Sequence, residues 1–167
     1  MPTGRTSAWG LLGLNQVSLT LTAKEIKGLV GNPITLISHP GPHSYNAILH
    51  IAAISNFGTV PFLSPSVSGF VGAQIVYDGP TMWPATASVS NLHNVILGPA
   101  SAVGNVMNAC SGAGISPDQA AYPLTEIVDR NIVIGNFTYV SADTPVDYVQ
   151  GDGTIKLTLL YATINIS

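Results

Sequence analysis

The residues of this chain best suited to chemistry are four histidines, one cysteine and a short run of aspartates. His39 and His43 stand four apart, a spacing that on a helix sets two imidazoles on one side of a metal ion. Between them Pro40-Gly41-Pro42 forbids a helix, so the geometric basis for that reading is lost. His50 or His93 would have to join them in space, and otherwise they read as a turn histidine and a sheet-edge histidine. Asp143, Asp147 and Asp152 are close enough in sequence to collect Ca²⁺, yet fit no EF-hand spacing and read as solvated carboxylates of turns. Cys110 as a nucleophile would need a cationic or histidine neighbour; none is local, which leaves a small buried apolar residue. No serine sits in a G-x-S-x-G elbow, and Gly112-Ala113-Gly114 lacks the third glycine and preceding strand of a dinucleotide loop. Asn136-Phe137-Thr138 and Asn165-Ile166-Ser167 match the glycosylation acceptor, a pattern common by chance. Trp9 and Trp83 would be the carbohydrate platforms, but no aromatics cluster around either. No catalytic, cofactor-binding or metal-ligating residue is assigned on these grounds, and the chain does not read as an enzyme.

Composition points toward contact with other protein. Of 167 residues, 46% are hydrophobic and only 8% charged, about a third of the usual charged share. Mean hydropathy is +0.39. Such a surface relies on Ser, Thr, Asn, Gly and Pro, and sparse charge invites association. Five scattered basic residues against eight acidic ones leave no basic stripe, which argues against nucleic acid as a partner. No apolar run approaches the ~18 residues of a membrane helix, which argues against a membrane partner. The one cysteine excludes an intrachain disulfide.

The elements that must position anything are strands. After Gly151-Asp152-Gly153, Ile155, Leu157, Leu159 and Tyr161 alternate with Lys156 and Thr158, the period of a strand with one face on a core. Leu160, Ala162 and Ile164 make the second face apolar too, so this strand is expected to end covered on both sides, by another sheet or another subunit. Asp-Gly is a strong hairpin signal, which predicts that residues 146–149 pair back onto it. Earlier in the chain, a first strand runs from about Asn15 through Val17, Leu19 and Leu21. Thr22-Ala23-Lys24-Glu25 is a capping box opening a helix of one to two turns, ended by Gly31. Ile34 and Leu36 begin a second strand. Residues 45–57 form a third, whose nearly continuous apolar run from Ala47 to Ile54 predicts burial on both faces.

Residues 58–72 read as a Gly/Pro/Ser-rich excursion anchored by Phe62, Leu63 and Phe70, and residues 73–77 as a strand. One or two strands are expected within 83–97, and another over 131–140. Little periodicity is visible over 99–123, apart from a short helix expected from Pro117. The expectation is an all-β fold: an antiparallel β-sandwich, jelly-roll-like, with one short helix. Residues 1–14 read as a flexible N-terminal arm and 15–167 as a single domain. Its expected core is Leu19, Leu21, Ile34, Leu36, Ile51, Ile75, Ile134, Ile155, Leu157 and Leu159.

Two stretches carry a resemblance. Leu19-Thr20-Leu21-Thr22-Ala23-Lys24-Glu25-Ile26, then Asn32-Pro33-Ile34-Thr35-Leu36-Ile37 and Pro40-Gly41-Pro42, resemble the start of a group of small tailed-bacteriophage virion proteins. Residues 151–161, a GDG turn leading into a last strand with Tyr161, resemble their ends. The likeness covers about a third of the chain, and residues 58–123 have no counterpart in it. It implies a structural protein of the particle: a head decoration or cement protein on the capsid exterior, frequently a homotrimer, whose partners are the major capsid protein and its own copies. It brings no catalytic residues and no cofactor. A tail fibre or receptor-binding component is the alternative within the particle, and a carbohydrate-binding or hydrolytic sandwich domain the alternative outside it.

Overall fold

The computed structural model describes residues 13–63, 70–78, 88–91, 105–110, 127–138 and 147–166, with side chains left aside at 70–72, 88–91, 105–110 and 137–138. Along these run β1 (Leu14–Leu21), α1 (Ala23–Ile26), β2 (Ile34–Ile37), β3 (Ser44–Asn56), β4 (Phe70–Tyr77), β5 (Ser88–Asn91), β6 (Asn105–Cys110), β7 (Ile132–Thr138) and β8 (Thr154–Asn165). The strands form two antiparallel sheets, ordered β1-β8-β3-β6 and β2-β7-β4-β5. The pairing is nested: first strand with last, second with seventh, third with sixth, fourth with fifth. Two further ladders, β3 with β8 and β4 with β7, complete the sheets.

One hydrophobic cluster draws on both sheets. Leu21, Ile51, Ile155, Leu157 and Leu159 come from the first, Leu36, Ile75, Ile132 and Ile134 from the second, and Ile26 and Leu29 from α1 and its exit. Eight of the ten expected core residues are buried. Leu19 and Ile34 are only partly buried against the cluster, because β1 and β2 are edge strands with a neighbour on one side. The capping box forms as expected: Thr22 Oγ1 accepts from the Glu25 N–H at 3.3 Å, and Glu25 Oε2 accepts from the Thr22 N–H at 2.7 Å. Those bonds hold the Glu25 carboxyl below its ordinary pKa and orient a four-residue helix too short to persist alone.

Four expectations need correction. β3 lies between β8 and β6, but it is buried on one face only. Ile48, Ile51 and Ala53 are buried, whereas Leu49 and Ile54 are 46% and 38% exposed. Its sequence looked continuous because Ala47, Ala52 and Ile54 fill outward positions and a bulge between Ile48 and His50 resets the alternation.

The Asp-Gly hairpin does not form. Val146 lies outside the described residues, and 147–149 do not join β8, whose two sides are taken by β1 and β3. The segment runs instead beside residues 60–63: the Val149 N–H donates to the Leu63 carbonyl and the Asp152 N–H to the Val60 carbonyl, both at 3.1 Å. Third, among the described residues no second sheet covers the outer side of β8, which leaves of the two expected covers only another subunit. Leu160 and Ala162 are half-buried, and Ile164 is 39% exposed.

Last, the aperiodic stretch 99–123 contains β6, whose sequence Asn-Val-Met-Asn-Ala-Cys has no alternation to read. β4 also begins at Phe70, inside the expected excursion, and Leu63 is exposed rather than an anchor. The expected arm up to residue 12, the helix from Pro117, and residues 83–97 apart from β5 lie outside the described residues.

Candidate functional site

Three surfaces of this fold are organised tightly enough to serve as sites. The first is a clasp beside α1, where residues 27–30, 58–63 and 147–152 meet. Asp152 accepts from the Thr59 hydroxyl at 2.6 Å and from the Thr59 and Val60 N–H groups at 2.9 and 2.8 Å. These bonds, the Thr59 hydroxyl foremost, hold its carboxyl below the ordinary aspartate value. Gly58, at φ +60°, carries no Cβ that would overlap this carboxylate. Gly151, at φ +127°, has no room for a Cβ beside the Phe62 ring, which meets Tyr148 edge-on with centroids 6.2 Å apart. The Tyr148 hydroxyl accepts from the Ala73 N–H at 3.1 Å, and burial pushes its pKa well above the ordinary tyrosine value. Lys27 Nζ donates to the Gly151 carbonyl at 3.0 Å, and the Val30 N–H to Asp147 Oδ1 at 2.9 Å. Asp147 and Asp152 are thus hydrogen-bonded at separate points, and Asp152 is solvent-exposed as a turn carboxylate is expected to be. Val60, Leu63 and Val149 stand outward from this clasp as exposed apolar side chains.

The second surface lies at the far end of the sheets. His39 Nδ1 is 2.9 Å from Asp129 Oδ1, both side chains well exposed. Asp129 adopts a positive φ of 54°, and its N–H donates to the Ser44 carbonyl at 2.8 Å. The His39 N–H donates to Asn131 Oδ1 at 2.9 Å, and the Asp78 N–H to the Asn131 carbonyl at 2.8 Å. Deeper in, Tyr77 donates to the Asn46 carbonyl at 2.7 Å, linking the two sheets, and within the first sheet Thr163 donates to Asn46 Oδ1 at 2.8 Å. Burial first, and Tyr45 nearby second, push the Tyr77 hydroxyl up to about 12. His39 therefore has an aspartate partner that spacing did not suggest, since Asp129 lies 90 residues away. His43 has a positive φ of 62° in the turn, His50 sits in the interior of a sheet, and His93 is outside the described residues. Among the described residues no three His, Cys, Asp or Glu side chains group closely enough to hold a metal ion.

The third surface is the outer face of the sheet β1-β8-β3-β6. Its register sets side chains in rows across β3 and β8: Tyr45 with Ile164, Ala47 with Ala162, His50 with Leu160, Ala52 with Thr158, Ile54 with Lys156. The bulge adds Leu49 beside His50. Leu14, Gln16, Ser18 and Thr20 extend these rows from Ala162 to Lys156 along β1, and Ser18 and Thr158 share a hydrogen bond at 2.9 Å. Lys156 is the one Lys, Arg, Asp or Glu among these residues, and it stands in the terminal row.

Of the remaining sequence candidates, Asn136 is buried in β7 and Asn165 is exposed at the end of β8, accepting from the Ser44 hydroxyl at 2.8 Å. Trp9, Trp83, Asp143 and Gly112-Ala113-Gly114 lie outside the described residues, as does the side chain of Cys110. No family model matches the chain, and no curated protein and no solved structure matches it either.

Proposed function

We propose that this chain is a structural protein of a tailed-phage particle, a head decoration or cement protein that binds the outer capsid surface and stiffens the shell. The observation that carries the reading is the clasp. The two stretches that resemble such proteins lie at opposite ends of the chain, yet they pack as one unit. β1 pairs with β8 from Leu14–Ala162 to Leu21–Ile155, and Lys27, just past the capping-box helix, bonds the GDG turn. We further propose that the two sheets pack face to face as a jelly roll. The nested orders 1-8-3-6 and 2-7-4-5, and the one core cluster drawn from both sheets, support that architecture, which capsid and lectin domains share.

The work of a cement protein is linkage. It binds the assembled lattice and not separated subunits, so it shifts the equilibrium toward the intact shell. Its partners are the major capsid protein and further copies of the chain, the homotrimer implied by the resemblance being one such assembly; its location is the head exterior, after synthesis in the host cytoplasm. Each copy bound on a repeating lattice gains avidity from every additional contact. The contact segments are residues 2–14 and 58–72. Leu14, the root of the first, sits opposite Ala162, while Asn56, just before the second, sits opposite Thr154. Eight residues of β8 separate these points, roughly 27 Å at strand rise, so the segments leave opposite ends of a stiff ladder and can reach different subunits.

The test is attachment to heads lacking the protein. Added chain should bind in copy number comparable to the major capsid protein and raise the temperature at which heads open. Deleting residues 2–12 should weaken attachment while the isolated chain keeps its melting transition. A few copies per virion, confined to the tail, would overturn this in favour of a fibre or receptor-binding component.

A further inference from the structure

The outer face of the sheet β1-β8-β3-β6 has a pattern that fits a copy of itself. On the two central strands the rows alternate in size. Tyr45–Ile164 is large, Ala47–Ala162 small, His50–Leu160 with Leu49 large, Ala52–Thr158 small, and Ile54–Lys156 large. We propose that a second copy of this chain docks on this face about a two-fold axis passing between the Ala162 and Leu160 rows. The axis lies across the strands, so β8 faces β8 of the other copy and the row order reverses. The Ala47–Ala162 row of each copy then receives the Leu49–Leu160 row of the other, and the Ala52–Thr158 row receives Tyr45–Ile164. On β3 and β8 every large row meets a small one, as layers that interdigitate at interior density require. The terminal row is left at the rim, and with it Lys156, so the contact buries none of the charges on this face.

The choice of a copy over a foreign partner rests on this reciprocity, on charge and on area. With formal net charge −3 spread over 167 residues, two copies meet little long-range repulsion. The four reciprocal rows span roughly 27 Å along β3 and β8, with β1 beside three of them and β6 beside one, on the order of 400 Å² per copy in plan. That lies below the ~600 Å² per partner of specific interfaces and fits a weak pair, forming at micromolar concentration or above. Its strength comes from apolar side chains on the outer side of the sheet: Leu49 and Ile164, which are exposed, and Leu160, which is half-buried. Two sheets meeting this way pack ~10 Å apart with strands turned ~30°. A three-fold ring uses head-to-tail contacts between different patches, so this pair is a separate association from a ring trimer. The proposal stands on the face alone, and its failure would leave the virion reading untouched.

Sedimentation of the full chain from ~1 to ~200 µM, around the affinity expected, tests it. The expected result is a shift from 17.3 kDa to twice that mass, unchanged in high salt. Ala162→Leu sets large against large and should weaken the pair by about tenfold or more. Leu160→Ala should weaken it by removing the knob, and the double variant, which swaps the two sizes, should restore it. Leu49→Ser changes an exposed side chain and serves where the β8 variants lose their melting transition; it should also shift the equilibrium toward monomer. Lys156→Glu, at the rim, should change nothing. A monomer throughout the range, a trimer, or a pair indifferent to Ala162→Leu and Leu49→Ser would overturn the proposal, as would failure of the folded double variant to recover.

Discussion

Three glycine-to-alanine changes separate two costs that the fold imposes at the clasp. At Gly31 an added Cβ meets nothing within 4 Å. At Gly41 it also meets nothing, but the backbone is at φ +109°, a region nearly closed to other residues. Gly151 has both problems: φ +127°, and a Cβ that would overlap the Phe62 ring. A non-glycine residue in that backbone region costs about 1–3 kcal/mol, and forcing an extra carbon into packed surroundings costs about 1–3 kcal/mol more. Phe62 has little room to yield, being 2% exposed and set edge-on against buried Tyr148. Gly31→Ala should therefore be neutral within about 0.5 kcal/mol. Gly41→Ala should lose about 2 kcal/mol and Gly151→Ala about 4 kcal/mol. For a chain of this length each kcal/mol moves the melting temperature by about 2–4 °C, so Gly151→Ala should melt about 8–16 °C lower. Urea titration with the slope unchanged across the series would assign the differences to stability rather than compactness. If Gly151→Ala is no worse than Gly41→Ala, Phe62 moves aside freely and the clasp is not the rigid unit described.

Other outcomes follow from the same structure. Leu157→Ala, at a fully buried position, should cost about 2–5 kcal/mol by urea titration, and a loss under about 0.5 kcal/mol would place it outside the core. Asp152 has a folded pKa below its unfolded one, so its stabilising effect is present above the ordinary aspartate value and fades as pH falls through the lowered value. Melting curves of Asp152→Asn against wild type should therefore converge in strong acid, and a gap that stays constant with pH would refute the role given to its carboxylate. Gln74 is fully buried with neither side-chain atom hydrogen-bonded. Gln74→Met, which removes two stranded polar groups at similar volume, should raise stability by about 1 kcal/mol in the same assay, whereas a loss would mean that Gln74 is satisfied in solution.

The strands nearest the two chain ends were legible because their signals are local. The alternation of Val17, Leu19 and Leu21, and of Ile155, Leu157 and Leu159, needs only the two-residue period of a strand over a core. The Thr22–Glu25 capping box needs only four consecutive residues. The outer face of the sheet β1-β8-β3-β6 was legible in half: Leu160, Ala162 and Ile164 stood out as a second apolar face, but their counterparts on β3 did not. Ala47, Ala52 and Ile54 merged with the core-facing Ile48, Ile51 and Ala53 into one apolar run, and the bulge at Leu49 broke the count.

What sequence alone determined here is the element type wherever period or capping is strong: strands at both ends, one short helix, and which of their residues turn inward. The tertiary structure decided the partners. Asp-Gly flanked by strand-like residues predicts a hairpin, yet β8 gave both its sides to β1 and β3, and 147–152 turned to residues 60–63. His39, which read from its sequence neighbours as a turn or sheet-edge histidine, met Asp129, 90 residues on. Hydrogen bonds between strands and ladders between distant segments form through the whole chain's competition for a limited number of edges, and no window of neighbouring residues contains that competition.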